Sequence, residues 1–195
     1  MNTRPERKDE IIAASLALIE RKGIQNLTTK NISREVGITE PGIYRHFKNK
    51  QEILTEILRR FKNGIGERMI IAKERATNPL DQIGALYEGS LRMFNEYPSI
   101  AAAIFSEEIF QNNDRLSSEV RSIMELSQSG LRDMIRRGQS EGCIRNDQPD
   151  EQLSLIVMGA FRLLVTRWRL MKRSFDIIAD GRKLWKTMRA LLAVK

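Results

Sequence analysis

The sequence predicts an all-α protein, with a three-helix N-terminal head followed by a six-helix C-terminal body. Apolar side chains recur at intervals of three and four residues along nearly the whole chain, whereas the alternating pattern of a β-strand is missing. Pro79, Pro98 and Pro149 divide the later part of the chain into further helices, because proline favours the first turn of a helix. A length of 195 residues accommodates one or two small domains with a packed core.

The predicted helices follow one another with short connections. The first covers residues 5–22 and ends at Gly23, which can adopt the left-handed conformation that closes a helix. Its buried stripe is predicted from the spacing of Ile12, Ser15, Leu16 and Ile19. The last five helices are predicted at residues 80–96, 99–111, 114–141, 150–173 and 177–194.

The fourth helix is predicted to open at Asn49 and to run to Arg75. Glu52 stands three residues after Asn49, as in a capping box, so each side chain can satisfy a free backbone N–H. Gly64 and Gly66 interrupt the apolar pattern in the middle of this helix. They indicate either a bend or close packing against a neighbour, of which we favour packing.

Between the first and fourth helices, the sequence has the pattern of two short helices joined by a tight turn. Thr28 is the predicted N-cap of the first of them, and Gly37 supplies the left-handed residue that ends it. Thr39 is the predicted N-cap of the second. Pro41 falls in the first turn of that helix, where its missing N–H costs nothing.

The second of these short helices has two different sides. Ile43 and Phe47 are four residues apart and turn inward, while Tyr44, Arg45 and His46 lie on the outer side. A small helix that displays a phenol, a guanidinium and an imidazole has the groups needed to contact the major groove of DNA. The segment is therefore predicted to be a DNA-binding helix-turn-helix.

The run GIQNLTTKNISREVGITEPGIYRHFKNKQEIL resembles the N-terminal domain of TetR-type transcriptional repressors, and the preceding IIAASLALIERKG extends the likeness. The glycines, the Thr-Thr pair, the Tyr-x-His-Phe group and the lysine all fall in one register. The close resemblance covers about the first 60 residues, and the remainder matches only in length, helical content and order of elements. We expect a DNA-binding domain at residues 1–50 and a ligand-binding and dimerisation domain at residues 51–195.

The resemblance implies roles for individual residues of the head. Those that match positions clamping the DNA backbone are Thr29, Lys30, Tyr44, His46 and Lys50. Those that match positions facing bases are Glu40, Pro41, Gly42 and Arg45, and Thr39 completes the predicted DNA-binding set. Arg45 is the preferred base reader, because a guanidinium can bond a guanine edge twice. Gly42 departs from the Ser, Thr or Ala common in the family and so lacks the side chain that would touch a thymine methyl or a phosphate.

The resemblance also implies a four-helix dimer interface and a pocket for a small molecule. The predicted interface residues on the last two helices are Leu155, Gly159, Leu163, Thr166, Leu184, Met188 and Leu191. The predicted pocket residues are Met69, Phe94, Phe105, Phe110, Met124, Met158 and Phe161, since methionine and phenylalanine suit an irregular apolar cavity. The pocket residues equally suit an ordinary core, and a place in the body's own core is the alternative for the interface residues.

The sign of the ligand's charge stays open in the sequence. Glu107 and Glu108 flank the apolar set and are candidates to receive a cationic ligand. Arg162, Arg167 and Arg169 are candidates to receive an anionic one, such as an acyl conjugate, or to balance the acidic middle of the chain.

Composition limits the classes of partner and compartment. The net charge is +8 and the pI about 9.9, which favours a polyanionic partner. Cys143 is the only cysteine, so no intrachain disulfide can form and a reducing, cytoplasmic location is expected, with a redox role for this thiol left open. No stretch is apolar enough to predict a signal peptide or a membrane span.

An enzyme is not predicted. His46 is the only histidine, and the chain lacks catalytic, phosphate-binding and metal-ligand motifs, so neither a cofactor nor a metal is expected. We predict a ligand-responsive repressor that binds palindromic double-stranded DNA as a homodimer and is released by a small molecule. The alternatives are a DNA-bound scaffold that recruits a protein, an activator, or a basic C-terminal surface for membrane lipid.

Overall fold

The computed structural model describes residues 6–105 and 113–194. In these ranges the chain forms nine α-helices, one short 3-10 turn and a single isolated β-bridge, so the predicted all-α class is confirmed. The helices are α1 (Arg7–Lys22), α2 (Thr29–Val36), α3 (Glu40–Tyr44), α4 (Lys50–Arg75), α5 (Pro79–Glu96), α6 (Pro98–Ile104), α7 (Asp114–Ser140), α8 (Asp150–Leu170) and α9 (Ile177–Leu192). None of the described helices combines the length and apolar composition needed to cross a bilayer.

The contacts divide the chain into two compact units. The first comprises Met1–Phe61 and Pro98–Arg121, and the second comprises Lys62–Tyr97 and Ser122–Lys195. In the first unit, α1 packs against α2 and α6, and α2 packs against α3. In the second unit, α9 packs against α5 and α8. The helices α4 and α7 each contribute residues to both units.

The stripe that α1 buries is wider than predicted. Ile12, Ser15 and Ile19 are buried as expected, but Ile11 and Leu18 are also buried while Leu16 is only half-buried. The buried Ser15 hydroxyl donates to the carbonyl of Ile11 at 2.7 Å, so its polar atom is satisfied inside the core.

The last two helices end earlier than their hydrophobic periodicity predicts. The helix α8 stops at Leu170, because Lys172 and Arg173 have φ angles of 51° and 61° that no right-handed helix contains. The helix α9 stops at Leu192, whose carbonyl accepts from the backbone N–H of Arg145 at 2.8 Å. The next residue of the chain is extended and forms the isolated β-bridge with Ile144.

The packing interpretation of the two α4 glycines is wrong. A methyl group added to Gly66 would meet no atom within 4 Å, and one added to Gly64 would meet only the flexible end of Arg68. No neighbour within the described chain therefore requires a glycine at either position. The helix continues without interruption through both of them.

Candidate nucleic-acid interface and ligand cavity

Local hydrogen bonds build the turn between α2 and α3 as predicted. The hydroxyl of Thr28 accepts from the Asn31 N–H at 3.1 Å and caps α2, and Gly37 ends that helix with a φ of 75°. The hydroxyl of Thr39 accepts from the Gly42 N–H at 3.3 Å and caps α3. These three terminations fix the direction of α3, which is the reading helix of the predicted motif.

The reading helix divides into a buried side and an open side. The helix α3 ends at Tyr44, earlier than predicted, so Phe47 lies in the turn that follows it. Ile43 and Phe47 are 1% and 3% exposed and anchor this segment in the first unit. Tyr44 is 53% exposed, Arg45 is exposed, and His46 is half-buried. The three groups available for hydrogen bonding therefore face away from the core, as a groove-reading surface requires.

The surface of α2 and α3 carries the other predicted contacts. The hydroxyl of Tyr44 donates to Thr29 Oγ1 at 3.5 Å, which is a long hydrogen bond that links the two helices at their open side. Lys30 is exposed and Glu40 is half-buried. A methyl group at Gly42 would sit 3.4 Å from Ile38 Cδ1, so this site has room for the alanine that it lacks.

The start of α4 places a cation beside the reading helix. Asn49 Oδ1 accepts from the Glu52 N–H at 3.0 Å, as predicted, but the Glu52 carboxylate accepts from the Lys48 N–H at 2.6 Å and not from Asn49 itself. Lys50 is the first residue of α4 and is exposed. Free N–H groups and the positive end of the helix dipole favour a phosphate at this position.

Ion pairs that the sequence analysis did not predict brace α1 against α2 and α4. Arg21 of α1 pairs with Glu35 of α2 at 2.5 Å, and Arg60 of α4 pairs with Asp9 of α1 at 2.7 Å. Arg60 also pairs with Glu56 at 2.8 Å. No local pattern signals the first two pairs, because each joins helices separated by a turn or more of chain.

The Glu56 carboxylate is the centre of the bracing on α4. It accepts from Arg59 at 2.7 and 2.8 Å and from Arg60 at 2.8 Å. The hydrogen bonds from Arg59 are the largest cause that lowers the pKa of Glu56 to about 2, from an ordinary value of 4.5. The carboxylate is therefore charged at neutral pH, and the chain of contacts from Arg59 to Asp9 holds α4 against α1.

The predicted pocket residues do not form one group. Met69, Phe94, Met158 and Phe161 belong to the second unit, where the rings of Phe94 and Phe161 lie 6.0 Å apart. Phe105 belongs to the first unit. Met124 is 49% exposed on α7, so it lines no interior space in the isolated chain. Three predicted residues, Glu107, Glu108 and Phe110, lie outside the described residues.

A cavity that the sequence did not predict lies between the end of α4 and the helices α5 and α9. Its volume is about 320 Å³, and none of the described members of the predicted pocket lines it. The lining residues are Arg75, Ala76, Asp81, Gly84, Ala85, Tyr87, Glu88, Leu91, Arg182, Trp185 and Arg189. One signal in the sequence was available, since Asp81 and Glu88 on α5 have the same seven-residue spacing as Arg182 and Arg189 on α9.

An apolar stripe covers the side of α8 that faces away from the core. Leu155, Leu163 and Leu170 are 48%, 68% and 79% exposed, and a methyl group at Gly159 would meet nothing within 4 Å. Thr166 lies half-buried at the edge of this stripe. Leucines in such numbers are seldom left in water on a stable monomer, which makes this surface a candidate interface.

The predicted interface residues of α9 separate into two sets. Leu191 is 57% exposed and Leu184 is half-buried. Met188 is only 3% exposed, because it packs into the core of its own unit. Met188 is thus a core residue of the isolated chain, which corrects its place in the predicted interface.

The three arginines considered for an anionic ligand do not share a site. Arg162 and Arg169 are seven residues apart on one flank of α8, while Arg167 lies over the ring of Phe175 on another, 5.5 Å from its centroid. Burial lowers the pKa of Arg169 from its ordinary value. Among the described residues, no three His, Cys, Asp or Glu side chains lie close enough together to hold a metal ion.

Two family profiles together match nearly the whole chain. One, described as "Bacterial regulatory proteins, tetR family", matches residues 11–57. The other, described as "YsiA-like protein, C-terminal region", matches residues 56–192, which is more than half of the sequence.

The individual relatives described next are 18–26% identical to this chain in sequence. The nucleoid occlusion factor SlmA of Aliivibrio fischeri is 25% identical over 134 residues, 68% of each chain. The HTH-type transcriptional repressor KstR2 of Mycolicibacterium smegmatis is 24% identical over 142 residues, 72% of this chain and 69% of that one. The probable HTH-type transcriptional regulator ArpR of Pseudomonas putida is 26% identical over 190 residues, 91% and 87% of the two chains. Among solved structures, the ketosteroid transcriptional regulator KstR2 of Mycobacterium tuberculosis superposes with a TM-score of 0.82 at 18% identity, covering 99% and 98% of the two chains.

Proposed function

Because the chain belongs to the TetR family of bacterial regulatory proteins, we propose that it is a ligand-responsive repressor, which binds a palindromic operator as a homodimer. Proteins of this family are transcription regulators and not enzymes. The observation that carries the proposal is the segment formed by α3 and the turn after it, which buries Ile43 and Phe47 and leaves Tyr44 and Arg45 exposed. The small-molecule effector, once bound, releases the dimer from DNA. The protein acts in the cytoplasm, where that DNA is found.

The head, residues 1–50, supplies the DNA contacts in this proposal. The backbone contacts come from Thr29, Lys30, Tyr44, His46 and Lys50, and Thr39 orients the reading helix as its cap. The base contacts come from Glu40, Pro41, Gly42 and Arg45. Phosphate contacts give affinity that depends on salt, and the base contacts give the sequence preference.

The body, residues 51–195, supplies the dimer interface and the effector site. Two copies of the α8 stripe pack together through Leu155, Gly159, Leu163 and Thr166, with Leu184 and Leu191 of α9 at its side. Gly159 lets the two α8 backbones approach closely, since no atom of its own chain occupies the space beside it. Pairing of two heads is what gives a short recognition helix useful specificity.

Release by the effector is a shift between two conformational populations. The ligand binds among Met69, Phe94, Met158 and Phe161 of the body and favours a dimer whose heads no longer match successive major grooves, about 34 Å apart. Only a difference in ligand affinity between the two states produces this shift. The helices α4 and α7, each with residues in both units, are the elements through which the change passes.

Footprinting combined with transcript measurement tests the proposal. The purified protein is footprinted on the DNA upstream of its own gene, and transcripts beside the protected site are compared in cells with and without the protein. A repressor gives a protected palindrome and a transcript that rises when the protein is removed. A transcript that falls identifies an activator. Addition of small molecules to the footprinted complex then identifies the effector as the compound that abolishes protection.

The likeness to SlmA supports a second candidate, a DNA-bound scaffold whose body recruits a protein partner. SlmA is named as a nucleoid occlusion factor and shares 25% of its aligned residues with this chain. Exposed apolar side chains in the second unit, Ile70 at 59% and Met124 at 49%, offer a surface for such a partner. In the experiment above, a scaffold protects its DNA sites but leaves the neighbouring transcripts unchanged.

A further inference from the structure

Two ion pairs between the antiparallel helices α5 and α9 line the cavity in the second unit. Arg182 of α9 pairs with Glu88 of α5 at 2.6 Å, and Arg189 pairs with Asp81 at 2.5 Å. Both carboxylates that line the cavity are therefore neutralised by partners on the facing helix. Glu88 is further engaged by Arg92, at 2.9 Å.

The floor of the cavity is aromatic. The rings of Tyr87 and Trp185 are stacked, with centroids 5.6 Å apart and an interplanar angle of 29°. The indole lies against the backbone of α5, because a methyl group at Gly84 would come within 2.8 Å of its Nε1 atom. A flat, apolar surface of this kind favours a planar ring as its ligand.

Hydrogen-bond donors around this floor have no acceptor among the described residues. The Tyr87 hydroxyl is buried without a hydrogen-bond partner, and the residue is only 5% exposed. Trp185 Nε1–H and the Arg75 guanidinium likewise make no hydrogen bond or ion pair within the described ranges. Burial raises the pKa of Tyr87 to about 12, so the hydroxyl keeps its proton at neutral pH. As a buried donor, it requires a hydrogen-bond acceptor.

The charges around the cavity favour an anion. Three guanidinium groups and two carboxylates line it, and both carboxylates are paired with Arg182 and Arg189, so Arg75 is the lining cation without a partner among the described residues. An arginine can bind a carboxylate through two parallel, charge-assisted hydrogen bonds, which are stronger than hydrogen bonds between neutral groups.

We propose that this cavity is a second small-molecule site, which binds a planar aromatic carboxylate with its ring on Trp185 and its carboxylate on Arg75. The volume of about 320 Å³ accommodates one or two fused rings. The site shares no lining residue with the effector pocket proposed above, which it adjoins where the Tyr87 ring packs against Phe161 at a centroid distance of 5.3 Å. It involves neither the reading helix nor the α8 stripe. On α9, Arg182, Trp185 and Arg189 follow one flank of the helix, whereas Leu184 and Leu191 follow another.

The two tryptophans of the chain provide a direct test with the full-length protein. Trp168 is 3% exposed on α8, and Trp185 lies in the cavity, so a ¹⁵N-labelled sample shows one indole N–H signal from each. The Trp185→Phe variant assigns the two signals. The probes are 2-naphthoate and its neutral counterpart 2-naphthamide, titrated without DNA. The matched variants are Arg75→Gln and Lys73→Gln, both exposed positions at the end of α4, of which only Arg75 lines the cavity.

The proposal predicts that 2-naphthoate shifts the Trp185 signal in a saturable way and leaves the Trp168 signal in place. The amide should bind at least about tenfold more weakly, and Arg75→Gln should weaken naphthoate binding by a similar factor, because each removes one charge-assisted contact. Lys73→Gln should bind naphthoate like the wild type. The proposal is overturned if the Trp185 signal does not shift, if acid and amide bind equally, or if the two variants behave alike. None of these outcomes depends on operator binding, so the proposed regulatory function is tested separately.

Discussion

The reading head and the α5–α9 pair are held together over very different distances along the chain. In the head, the bonds that set the helix directions join residues three apart, as in the caps formed by Thr28 and Thr39. In the second unit, Glu88 and Arg182 are 94 residues apart, and Asp81 and Arg189 are 108 apart. A contact of the first kind depends only on a few neighbouring residues, whereas a contact of the second kind forms only when distant helices of the unit pack together.

This difference separates what each region contributes to function. Tyr44 and Arg45 in the reading head are exposed, so their substitution should change DNA affinity and leave stability alone. The apolar packing between α5 and α9 is buried, as where Leu91 packs against Gly181, so its substitution should change the stability of the second unit first.

The largest effect is expected at the α8 stripe, where Leu163→Glu should abolish dimerisation and weaken operator binding by at least about 100-fold, since a single head loses the benefit of paired binding. Leu163 is 68% exposed, so the monomer should stay folded. Sedimentation equilibrium measures the oligomeric state, and fluorescence anisotropy measures DNA affinity. Ser118→Glu, an equal charge change at an exposed site on α7, is the control. A dimeric Leu163→Glu variant would refute this interface.

Substitution of the proposed base reader should come next. Arg45→Ala is expected to weaken operator binding by about 1–3 kcal/mol, because the bidentate contact with a guanine is lost. The thermal midpoint should stay unchanged, since Arg45 is exposed and only its backbone N–H takes part in the fold, as the cap of α3. Arg121→Ala removes the same charge from an exposed site on α7 and serves as the control for nonspecific electrostatics. Equal losses in the two variants would show that Arg45 contributes charge alone.

Two glycine substitutions should have opposite signs in the second unit. Gly84→Ala is expected to destabilise the protein by about 1–3 kcal/mol, because the new methyl group would meet the rigid Trp185 ring 2.8 Å away. Gly66→Ala meets nothing within 4 Å and should stabilise α4 by up to about 1 kcal/mol through helix propensity. Urea unfolding of both variants measures the two effects. A stabilising Gly84→Ala would contradict the described contact between α5 and α9.

The smallest effect is expected from Glu56→Gln, which removes the ion pairs of Glu56 with Arg59 and Arg60 within α4. The folded pKa of Glu56 is about 2, below its ordinary 4.5, so its contribution is complete above pH 4.5 and is lost as the pH falls towards 2. The variant should therefore melt below the wild type at pH 7, and the difference in midpoint should shrink between pH 4.5 and 2. Glu74→Gln, exposed at the end of the same helix, is the control. A difference that grows on acidification would contradict the assigned pairing.

The range of each contact also explains how much could be predicted from the sequence. Thr28, Gly37, Thr39 and Asn49 were assigned correctly as helix terminators, because each acts on its own neighbours in the chain. The order and number of helices followed from the same local signals. The class of function could be predicted as well, because the residues that form the helix-turn-helix are close together in the sequence.

The burial of individual side chains, the end of α8 and the cavity could not be predicted, because they depend on contacts between distant helices that hydrophobic periodicity does not identify. Met124 and Met188 have similar side chains, yet one is 49% exposed and the other is 3% exposed, because only the packing of distant helices decides which surface is covered. The early end of α8 has the same origin, since neither Lys172 nor Arg173 is a residue expected to be left-handed. The cavity on Trp185 forms only when α9 pairs with α5.

The central claim, that this protein reads a specific DNA sequence through α3, is tested most directly by titration onto its own upstream DNA. Fluorescence anisotropy is recorded at several salt concentrations against a scrambled duplex of equal length. The account predicts tight binding of one dimer to the natural duplex, binding to the scrambled duplex that is at least about 1,000-fold weaker, and a loss of affinity with salt on both. Equal affinity for the two duplexes, with the same salt dependence, would mean that the protein contacts only phosphates there and would contradict a sequence-reading role at that site.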